Sequence, residues 1–396
     1  WEQRKLGDVA EFSKGSGYSK GDLVEYGTPI ILYGRLYTNY ETRISDVDTF
    51  VEAKVGSVYS KGGEVIVPAS GETAEDIARA ATVDKSGILL GGDLNIVMPN
   101  KDINSSFLAI SISSGNPQRE LAKKAQGKSV VHIHNEEIKN LVLPFPIKDE
   151  QNKIASYFCQ LDNLITLHQR KYDKLVMSKK SMLEKMFPKN GQTKPEIRFS
   201  GFIDDWEQRK LGELGSLKNG MNFSKKAMGI GFPFVNLQNI FGNNVIDVSN
   251  LGKAMASDSQ LKDYNLLNGD VLFVRSSVKL EGVGEAALVP QTLDNTTYSG
   301  FIIRFRDEYG LDNNFKRFVF GIESVRNQIM SQATNSANKN ISQSVLENLE
   351  LAIPSKSEQQ KIGAYFSNLD HLITLHQREL EKLKKIKLSM LEKMFV

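Results

Sequence analysis

A long internal duplication constrains this chain more than any other feature. The heptapeptide at residues 1–7 returns at 206–212, and the segment 150–187 returns at 358–395 with most positions identical. A spacing above 200 residues is far longer than a solenoid repeat of about 20–45 residues. The sequence therefore predicts a duplicated pair of domains, in which a variable block is followed by a near-identical segment, twice.

The near-identical segments have the pattern of long coiled-coil helices. Residues 149–187 contain no proline or glycine, and seam positions recur at alternating steps of four and three in both copies. A sustained period of 3.5 residues is typical of coiled coils, and each helix would span on the order of 55 Å. We expect the helices to pack antiparallel and to assemble subunits through these residues: Ile154, Phe158, Leu161, Ile165, Leu175, Ile362, Phe366, Leu369, Ile373 and Leu383.

Polar and surplus apolar residues refine this interpretation. The polar seam positions are the same in both copies and are expected to fix the register of the pair; they are His168, Lys179, His376 and Lys387. Apolar residues off the seam exceed what one partner helix can cover, which predicts contact with another subunit or with the flanking blocks; they are Tyr157, Leu164, Leu167, Tyr365, Leu372 and Leu375.

The variable blocks are predicted to be mixed α/β domains, which makes the whole chain α+β. Short apolar runs bounded by glycine, asparagine and proline indicate strands at 28–33, 64–67, 95–98, 234–237, 271–275 and 301–305. A helix is expected near the end of each block, at about 106–124 with a break near Gly115, and along a stripe from Phe315 to Ile329. The predicted boundaries are a first domain at 1–146, a first long helix at 147–188, a linker at 189–205, a second domain at 206–354 and a second long helix at 355–396.

The loops of both blocks combine basic and amide residues with aromatic ones. Arginine, lysine, asparagine and glutamine match the polar edges of guanine and adenine, and serine and lysine suit phosphates. Ordinary solvated loops have a similar composition, so that alternative stays open. The candidate DNA contacts are Lys14, Ser16, Tyr18, Tyr33, Arg35, Tyr37, Asn39, Lys128, Ser129, Asn236, Gln238, Asn239, Arg275, Ser276, Lys279, Asn335, Asn338 and Lys339.

Composition narrows the class of protein. A formal net charge of +3 means that any DNA-binding surface must come from a local concentration of basic residues. The single cysteine, Cys159, excludes a disulfide framework or a cysteine-rich zinc site and fits a reducing, cytoplasmic setting. No apolar run approaches the length of a membrane span. The stretch 195–205 before Trp206 has no counterpart before Trp1, so we expect an equivalent stretch upstream in the natural chain.

The motifs that flank the blocks resemble those of one known family. The sequence Pro-Phe-Pro-Ile-Lys-Asp-Glu-Gln-Asn-Lys-Ile-Ala at 144–155 has a counterpart in Ala-Ile-Pro-Ser-Lys-Ser-Glu-Gln-Gln-Lys-Ile-Gly at 352–363, and each block begins with Trp-Glu-Gln-Arg-Lys-Leu-Gly. With the duplicated plan, these motifs make essentially the whole chain similar to the specificity subunit of a Type I restriction–modification enzyme.

The resemblance implies two target-recognition domains that read the two halves of a split sequence in double-stranded DNA. It implies that two long antiparallel helices separate the domains about a pseudo-twofold axis, set the spacing of the half-sites and dock methyltransferase subunits, expected to be two. Those subunits would bind S-adenosylmethionine, and restriction subunits would supply cleavage that depends on ATP and Mg²⁺. The chain itself would bind no cofactor and no metal.

Other classes of function remain open beside this one. A coiled-coil scaffold whose variable domains bind proteins or glycans is one alternative, and a self-contained nuclease or methyltransferase is another. The chain has no Walker motif and no Asp/Asn-Pro-Pro-aromatic motif for adenine methylation. Residues 282–287 formally match a dinucleotide-binding glycine pattern, but no buried strand precedes them. His132 and His134 are expected to be surface or DNA-facing residues. No catalytic residue is predicted.

Overall fold

The chain divides into two compact units that share the long helices between them. The computed structural model describes residues 1–127, 130–189, 191–334 and 336–395. One unit comprises Trp1–Lys171 with His376–Val396, and the other comprises Tyr172–Leu375. Each unit therefore contains one variable block, the first half of one long helix and the second half of the other.

The first unit contains a mixed domain that leads into the first long helix. Its strands are β1 Glu2–Lys5, β2 Ala10–Lys14, β3 Leu23–Val24, β4 Thr28–Ile31, β5 Arg43–Ile44, β6 Phe50–Val51, β7 Tyr59–Lys61, β8 Glu64–Pro68, β9 Ser70–Gly71, β10 Ala81–Val83, β11 Ser86–Leu90, β12 Leu94–Pro99, β13 Val131–His132 and β14 Val142–Phe145. Its helices are α1 Arg35–Thr38, α2 Ala74–Ile77, α3 Ser105–Ile112, α4 Gly115–Lys124, α5 Asn135–Lys139 and the long α6 Lys148–Lys185, which continues into the second unit.

The second unit repeats this plan. Its strands are β15 Glu207–Lys210, β16 Gly215–Asn219, β17 Met228–Val235, β18 Gly252–Ala254, β19 Val271–Val274, β20 Ser276–Ser277, β21 Ala286–Leu288, β22 Thr297–Tyr298, β23 Ile302–Asp307, β24 Lys339–Asn340 and β25 Glu350–Ile353. Its helices are α7 Leu211–Leu214, α8 Asp258–Asp263, α9 Asn313–Val319, α10 Glu323–Ser331, α11 Gln343–Glu347 and the long α12 Lys356–Met394, whose second half lies in the first unit.

The sheets of the two domains have matching topologies. The main sheet has the order β2-β12-β8-β10-β5 in the first domain and β16-β23-β19-β21 in the second. A second sheet places β4 parallel to β11 and antiparallel to β6, and β17 takes the same position between β22 and β18. Smaller ladders pair β1 with β14 and β9 with β13, as β15 pairs with β25 and β20 with β24. The two blocks are therefore copies of one fold.

The central strand of each main sheet begins at the same kind of turn. Gly63 and Gly269 have φ of +92° and +90°, a conformation that L side chains rarely adopt. The next residue is a buried carboxylate in both domains, and it accepts hydrogen bonds from the turn: Glu64 from the backbone N–H of Gly62 (2.9 Å), and Asp270 from that of Leu267 (2.8 Å). Each acid satisfies backbone donors that the tight turn would otherwise leave unpaired.

Within each unit the two long helices run antiparallel. In the first unit, Asp162 of α6 pairs with Lys387 of α12, and His168 contacts His376, so residue numbers rise along one helix as they fall along the other. In the second unit, Lys179 pairs with Asp370, while the ring of Phe187, just after α6, lies 6.1 Å from that of Phe366. The predicted antiparallel pairing is confirmed inside both units.

Most predicted elements are present, with two differences. The strand expected at 234–237 ends at Val235, because Asn236 caps a short 3-10 turn over Leu237–Asn239. The apolar stripe from Phe315 to Ile329 forms two helices, α9 and α10, which are separated by Phe320–Ile322. The long helix expected at 149–187 is α6, and the predicted break near Gly115 separates α3 from α4. No helix of the described segments is long and apolar enough to cross a membrane.

Candidate DNA-recognition surface

A short antiparallel ribbon occupies the same position in both domains. In the first domain, β13 pairs with β9 so that His132 lies opposite Ser70. In the second domain, β24 pairs with β20 so that Asn340 lies opposite Ser276. Several of the predicted DNA contacts lie in or beside these ribbons, which makes the ribbons the centre of the candidate surface.

In the second domain the ribbon borders an open groove of about 520 Å³. Three predicted residues line it, Ser276, Lys279 and Asn338, together with the half-exposed rings of Phe241 and Phe301. Arg275 lies just before Ser276 and donates one guanidinium N–H to the carbonyl of Gly300 at 3.3 Å. The groove therefore combines hydroxyl and amide groups with one lysine and two aromatic rings, which can contact base edges and thymine methyl groups. The carboxylates of Glu281 and Glu285 also line it, and Glu285 accepts the backbone N–H of Gly242 at 2.9 Å.

In the first domain two predicted tyrosines lie beside the ribbon. The Tyr37 hydroxyl donates to the backbone carbonyl of Ser70, and burial raises the pKa of Tyr37 well above its ordinary value. The ring of Tyr33 lies 6.1 Å from that of Tyr37 and is exposed. Tyr37 therefore supports the ribbon from within, whereas Tyr33 presents its ring to solvent.

Three of the residues predicted to contact DNA already use their side chains in bonds within the protein. Tyr18 is buried, and its hydroxyl accepts the backbone N–H of Lys54 at 2.6 Å. Asn239 is also buried, and its amide donates to two backbone carbonyls, those of Asp247 and Asn250. Arg35 is paired with Glu41 and Asp48. The structure corrects the first two assignments because a buried side chain offers no surface to DNA, while Arg35 would first have to leave its carboxylates.

The other predicted contacts are spread over the surface. Lys14, Asn39 and Gln238 are exposed, while Ser16 and Asn236 bond to nearby backbone: Ser16 accepts the N–H of Val58, and Asn236 that of Leu237. Lys339 lies in β24 opposite Ser277. Three candidates, Lys128, Ser129 and Asn335, fall outside the described residues. The predicted contacts therefore fall partly on the ribbon of the second domain and partly elsewhere on the surface, and whether they contact DNA stays a prediction.

The predicted list of DNA contacts does not contain the ribbon residues His132 and Asn340, although the sequence predicted His132 to be a surface or DNA-facing residue. His132 is exposed, and its Nδ1 lies 3.1 Å from the Ser70 hydroxyl oxygen. Asn340 donates a side-chain N–H to the carbonyl of Asn338 at 2.7 Å. A signal was present, since these residues are 208 positions apart, the same offset that relates the two long helices.

The Glu-Gln motif attaches each long helix to its domain. The side chain of Gln151 accepts the backbone N–H of Asn104 and donates to the carbonyl of Pro146, both at 2.9 Å. Gln359 makes the same two bonds, with Asp312 and Pro354, also at 2.9 Å. Both amides are almost fully buried, where an unpaired polar group would be costly. The motif therefore fixes the start of the helix against the helix that Asn104 or Asp312 caps.

The predicted seam residues pack against the domains as well as against the partner helix. Ile154, Phe158 and Leu161 share a core with Phe107 of the first domain and with Leu383 of α12. Ile362 and Phe366 belong to the equivalent core of the second domain, with Leu369 packed beside them. Ile165, Leu175 and Ile373 are half-buried. The seam is therefore more than a simple coiled coil, because its domain-proximal residues face the domain.

Apolar residues off the seam remain exposed in both units. Tyr157, Leu164 and Leu167 are between 41% and 47% exposed, and the second copy leaves Leu372 and Leu375 exposed to a similar degree. Tyr365 differs from its counterpart Tyr157, because Phe199 packs against its ring at 6.1 Å. Exposed apolar groups at helical spacing are typical of a protein-binding face.

Comparison with known families gives the decisive match. The model of the Type I restriction modification DNA specificity domain matches residues 1–177 and again residues 203–385. The chain belongs to this family. It contains two copies of the specificity domain, and each match extends from a variable block into the long helix that follows it. The chain is therefore a specificity subunit of the Type I restriction–modification class.

Curated relatives resemble the chain over most of its length. The Type I restriction enzyme MjaVIII specificity subunit of Methanocaldococcus jannaschii is 23% identical over 407 residues, covering 98% of this chain and 90% of that protein. The Type I restriction enzyme EcoKI specificity subunit of Escherichia coli strain K12 is 23% identical over 278 residues, covering 69% of this chain and 60% of that protein.

Solved structures share the fold of the whole chain. The crystal structure of the S subunit from M. genitalium covers 100% of this chain and 96% of its own, with a TM-score of 0.56 and 16% identity. A second solved structure comes from work on complex assembly and conformational transition of the Type I R-M system. It gives a TM-score of 0.53 at 15% identity and covers 100% of this chain and 97% of its own. The mixed α+β specificity domains with long helices are therefore the fold of this family.

Proposed function

We propose that each specificity domain reads one half of a bipartite sequence in double-stranded DNA. The observation that carries this proposal is the ribbon, which has the same backbone ladder in both domains but different side chains. Two domains with the same backbone and different side chains suit two different half-sites. Side chains that contact bases specify the sequence, while the backbone holds them in position. The first recognition domain is taken as residues 1–146 and the second as 206–354, with 189–205 as the linker.

The long helices, residues 147–188 and 355–396, are proposed to set the spacing of the half-sites and to dock two methyltransferase subunits. The exposed apolar side chains on α6 and α12 support this assignment, because they need a protein partner to cover them. Restriction subunits would join the same assembly. Its proposed place of action is the cytoplasm, where host DNA and these subunits meet.

The chain is proposed to be a non-catalytic member of that assembly. Burial raises the pKa of the Cys159 thiol, which is the opposite of what a nucleophilic cysteine requires. S-adenosylmethionine would bind the methyltransferase subunits, and ATP with Mg²⁺ would serve the restriction subunits. Methylation or cleavage of DNA by the purified chain alone would contradict this assignment.

Mapping methylated adenines in DNA from a host that carries this chain and its partner subunits tests the recognition function. The expected motif has two specified halves around an unspecified spacer. A single continuous motif would contradict the proposal. If the chain is instead a scaffold for proteins or glycans, it should bind random duplex without the steep salt dependence that phosphate contacts produce.

Arg275 provides a sharper test of the second domain. Replacing it with alanine should cost about 1–3 kcal/mol of discrimination at one base pair if the guanidinium reads a guanine. Replacing the exposed Lys279 with alanine should weaken binding to all sequences about equally and flatten the salt dependence. If both variants bind DNA as tightly as the wild type and with the same sequence preference, the groove is not part of the DNA interface.

A further inference from the structure

The two ribbons are anchored to their domains by the same backbone hydrogen bonds. The N–H of Ile133 donates to the carbonyl of Ala69 at 3.0 Å, and the N–H of Ile341 donates to the carbonyl of Arg275 at 3.0 Å. On the outer side, the carbonyl of His132 accepts the N–H of Gln126 and that of Asn340 accepts the N–H of Thr334. The two ribbons therefore correspond at these backbone bonds. They differ in the return bond, since the N–H of His132 donates to the carbonyl of Gln126 and that of Asn340 donates to the hydroxyl of Thr334.

This correspondence places His132 and Asn340 at one structural position. Each lies opposite a serine, Ser70 in the first domain and Ser276 in the second. At this pair the serine is constant and the facing side chain changes from an imidazole to an amide, while the neighbouring pair changes from Val131 with Gly71 to Lys339 with Ser277. The two domains therefore present an imidazole and an amide at the same position of the same backbone ladder.

Both side chains keep polar atoms available for a ligand. The Nδ1 atom of His132 faces the Ser70 hydroxyl, and Nε2 has no hydrogen-bond partner among the described residues. If Ser70 donates to Nδ1, the proton of the neutral ring resides on Nε2, which then acts as a donor. Asn340 uses one side-chain N–H on the carbonyl of Asn338, which leaves its second N–H and its carbonyl oxygen.

Base edges in the major groove distinguish these two side chains. Adenine presents an acceptor at N7 beside a donor at N6, which an asparagine amide matches with one donor and one acceptor. Guanine presents two acceptors, N7 and O6, which suit a single N–H donor such as Nε2 of histidine. Resting on the proposed recognition function, we propose that His132 and Asn340 are specificity-determining residues at equivalent positions, with His132 contacting guanine and Asn340 contacting adenine.

A purely structural role for these side chains makes a different prediction. The ladders of both ribbons are formed by backbone atoms, and these atoms are unchanged when either side chain is exchanged. The side-chain contact between His132 and Ser70 adds to the first ladder and would be altered by the exchange. If the imidazole and the amide served only the fold, exchanging them would change stability and leave base preference unaltered. Base preference is therefore the measurement that separates the two roles.

The experiment exchanges the two side chains in the complete methyltransferase complex. Methylated adenines are mapped for the wild type, His132→Asn and Asn340→His, each co-expressed with its methyltransferase subunits. We expect His132→Asn to change the preference at one base pair of one half-site, and Asn340→His at one base pair of the other half-site. Relative methylation of sites that differ at this base pair should change about ten-fold or more.

Variants at exposed residues outside the ribbon strands serve as controls. Glu120→Gln in the first domain and Glu308→Gln in the second change exposed side chains and should leave the motif unchanged. A variant that does not assemble is replaced by its alanine counterpart, which keeps the backbone ladder. Wild-type base preference in the alanine variant then overturns the assignment for that domain.

The outcomes also separate this inference from the recognition function. A bipartite wild-type motif that both exchanges leave unaltered would overturn the assignment of His132 and Asn340, while two-domain recognition would stand. A wild-type motif without two specified halves would overturn the recognition function itself. A change in both half-sites from one exchange would contradict the independent reading of the two domains.

Discussion

Asp162 and Asp370 are the same residue of the duplicated helix, and each contacts the domain of its own unit differently. Asp162 pairs with Lys387 and accepts a hydrogen bond from the hydroxyl of Thr42 at 2.8 Å. Asp370 pairs with Lys179 and also contacts Arg317 (3.4 Å) and the side-chain amide of Asn244 (3.2 Å). Both units therefore have the same ion pair between the helices. The domain contacts its aspartate with a neutral hydroxyl in the first unit and with a guanidinium in the second.

This difference shows where the duplicated chain allows variation. Both carboxylates lie on a helix that also packs into its domain core, so the attachment point is set by the near-identical segment. The domain needs only to supply a hydrogen-bond donor there, and hydroxyl, amide and guanidinium groups all do so. Such attachment lets the two domains differ in sequence while contacting the same residue of the helix.

The two units should differ most in how much stability they lose when the first residue of α4 or of α10 is replaced by alanine. Gly115 begins α4 with φ of +58°, and a Cβ there would lie 1.7 Å from the carbonyl oxygen of Phe395. The equivalent residue in the second unit is Glu323, which begins α10. Gly115→Ala should therefore cost about 3 kcal/mol or more in the free energy of unfolding, from backbone strain and steric overlap.

Chemical denaturation of the full chain measures this effect. Gly17→Ala is the matched control, because a Cβ at Gly17 would meet no atom within 4 Å. Glu323→Ala should also change little. A loss below about 1 kcal/mol in Gly115→Ala would show that the end of α12 adjusts freely around α4.

A smaller effect is expected from the two helix ion pairs. Lys387→Met removes the cation that pairs with Asp162 and, among the described residues, leaves that carboxylate without an ion-pair partner. Lys179→Met leaves Asp370 in contact with Arg317. All four side chains of the two pairs are between 21% and 26% exposed, so the losses should lie between those of surface and buried pairs, at about 1–2 kcal/mol for Lys387→Met and less for Lys179→Met.

The order of the two losses tests the role of Arg317. Thermal unfolding of the single variants gives the order, and the double variant Lys179→Met with Arg317→Met should then lose at least as much as Lys387→Met. Lys385→Met, an exposed position on α12, controls for removing a positive charge from the helix. Equal losses in Lys179→Met and Lys387→Met would show that Arg317 does not compensate.

The helices were predictable from sequence because their signal is local and repeated. A period of 3.5 residues over ten turns needs no knowledge of distant partners, and α6 ends three residues before the predicted boundary at 188. The central strands were predictable for the same reason, since β8 and β19 are short apolar runs behind a glycine. The pairing of β9 with β13 joins residues about 60 positions apart, and no local pattern reveals such a partner.

The candidate DNA surface was only partly predictable, because residue type does not determine burial. Asn239 and Asn338 look alike in a loop sequence, but the first satisfies two buried carbonyls and the second lines the groove. Tyr18 and Tyr33 differ in the same way, one buried and one exposed. The sequence predicted His132 only as a surface or DNA-facing residue, because its pairing with Ser70 and its structural equivalence to Asn340 are long-range relations. The shared offset of 208 positions indicates that equivalence but does not establish it.

The smallest expected effect on stability concerns His168 and His376, which occupy equivalent positions in α6 and α12 and contact each other. Their Nδ1 atoms lie 3.0 Å apart, so one ring must donate and the other accept, which requires at least one neutral imidazole. Burial, followed by the neighbouring His168 and Lys171, lowers the pKa of His376 below its ordinary value. The unfolded chain therefore binds a proton more readily than the folded chain, and stability is lost as the pH falls from about 6.5 towards the folded pKa.

Glutamine at position 376 removes this titration while keeping a hydrogen-bonding side chain. Between pH 7.5 and 5.5 the wild type should lose more thermal stability than His376→Gln, by less than the loss caused by Lys387→Met. His371→Gln, at an exposed position on the same helix, should retain the pH dependence of the wild type. If His376→Gln keeps that dependence too, protonation of His376 does not affect the contact between the two histidines, and the pH dependence arises elsewhere in the chain.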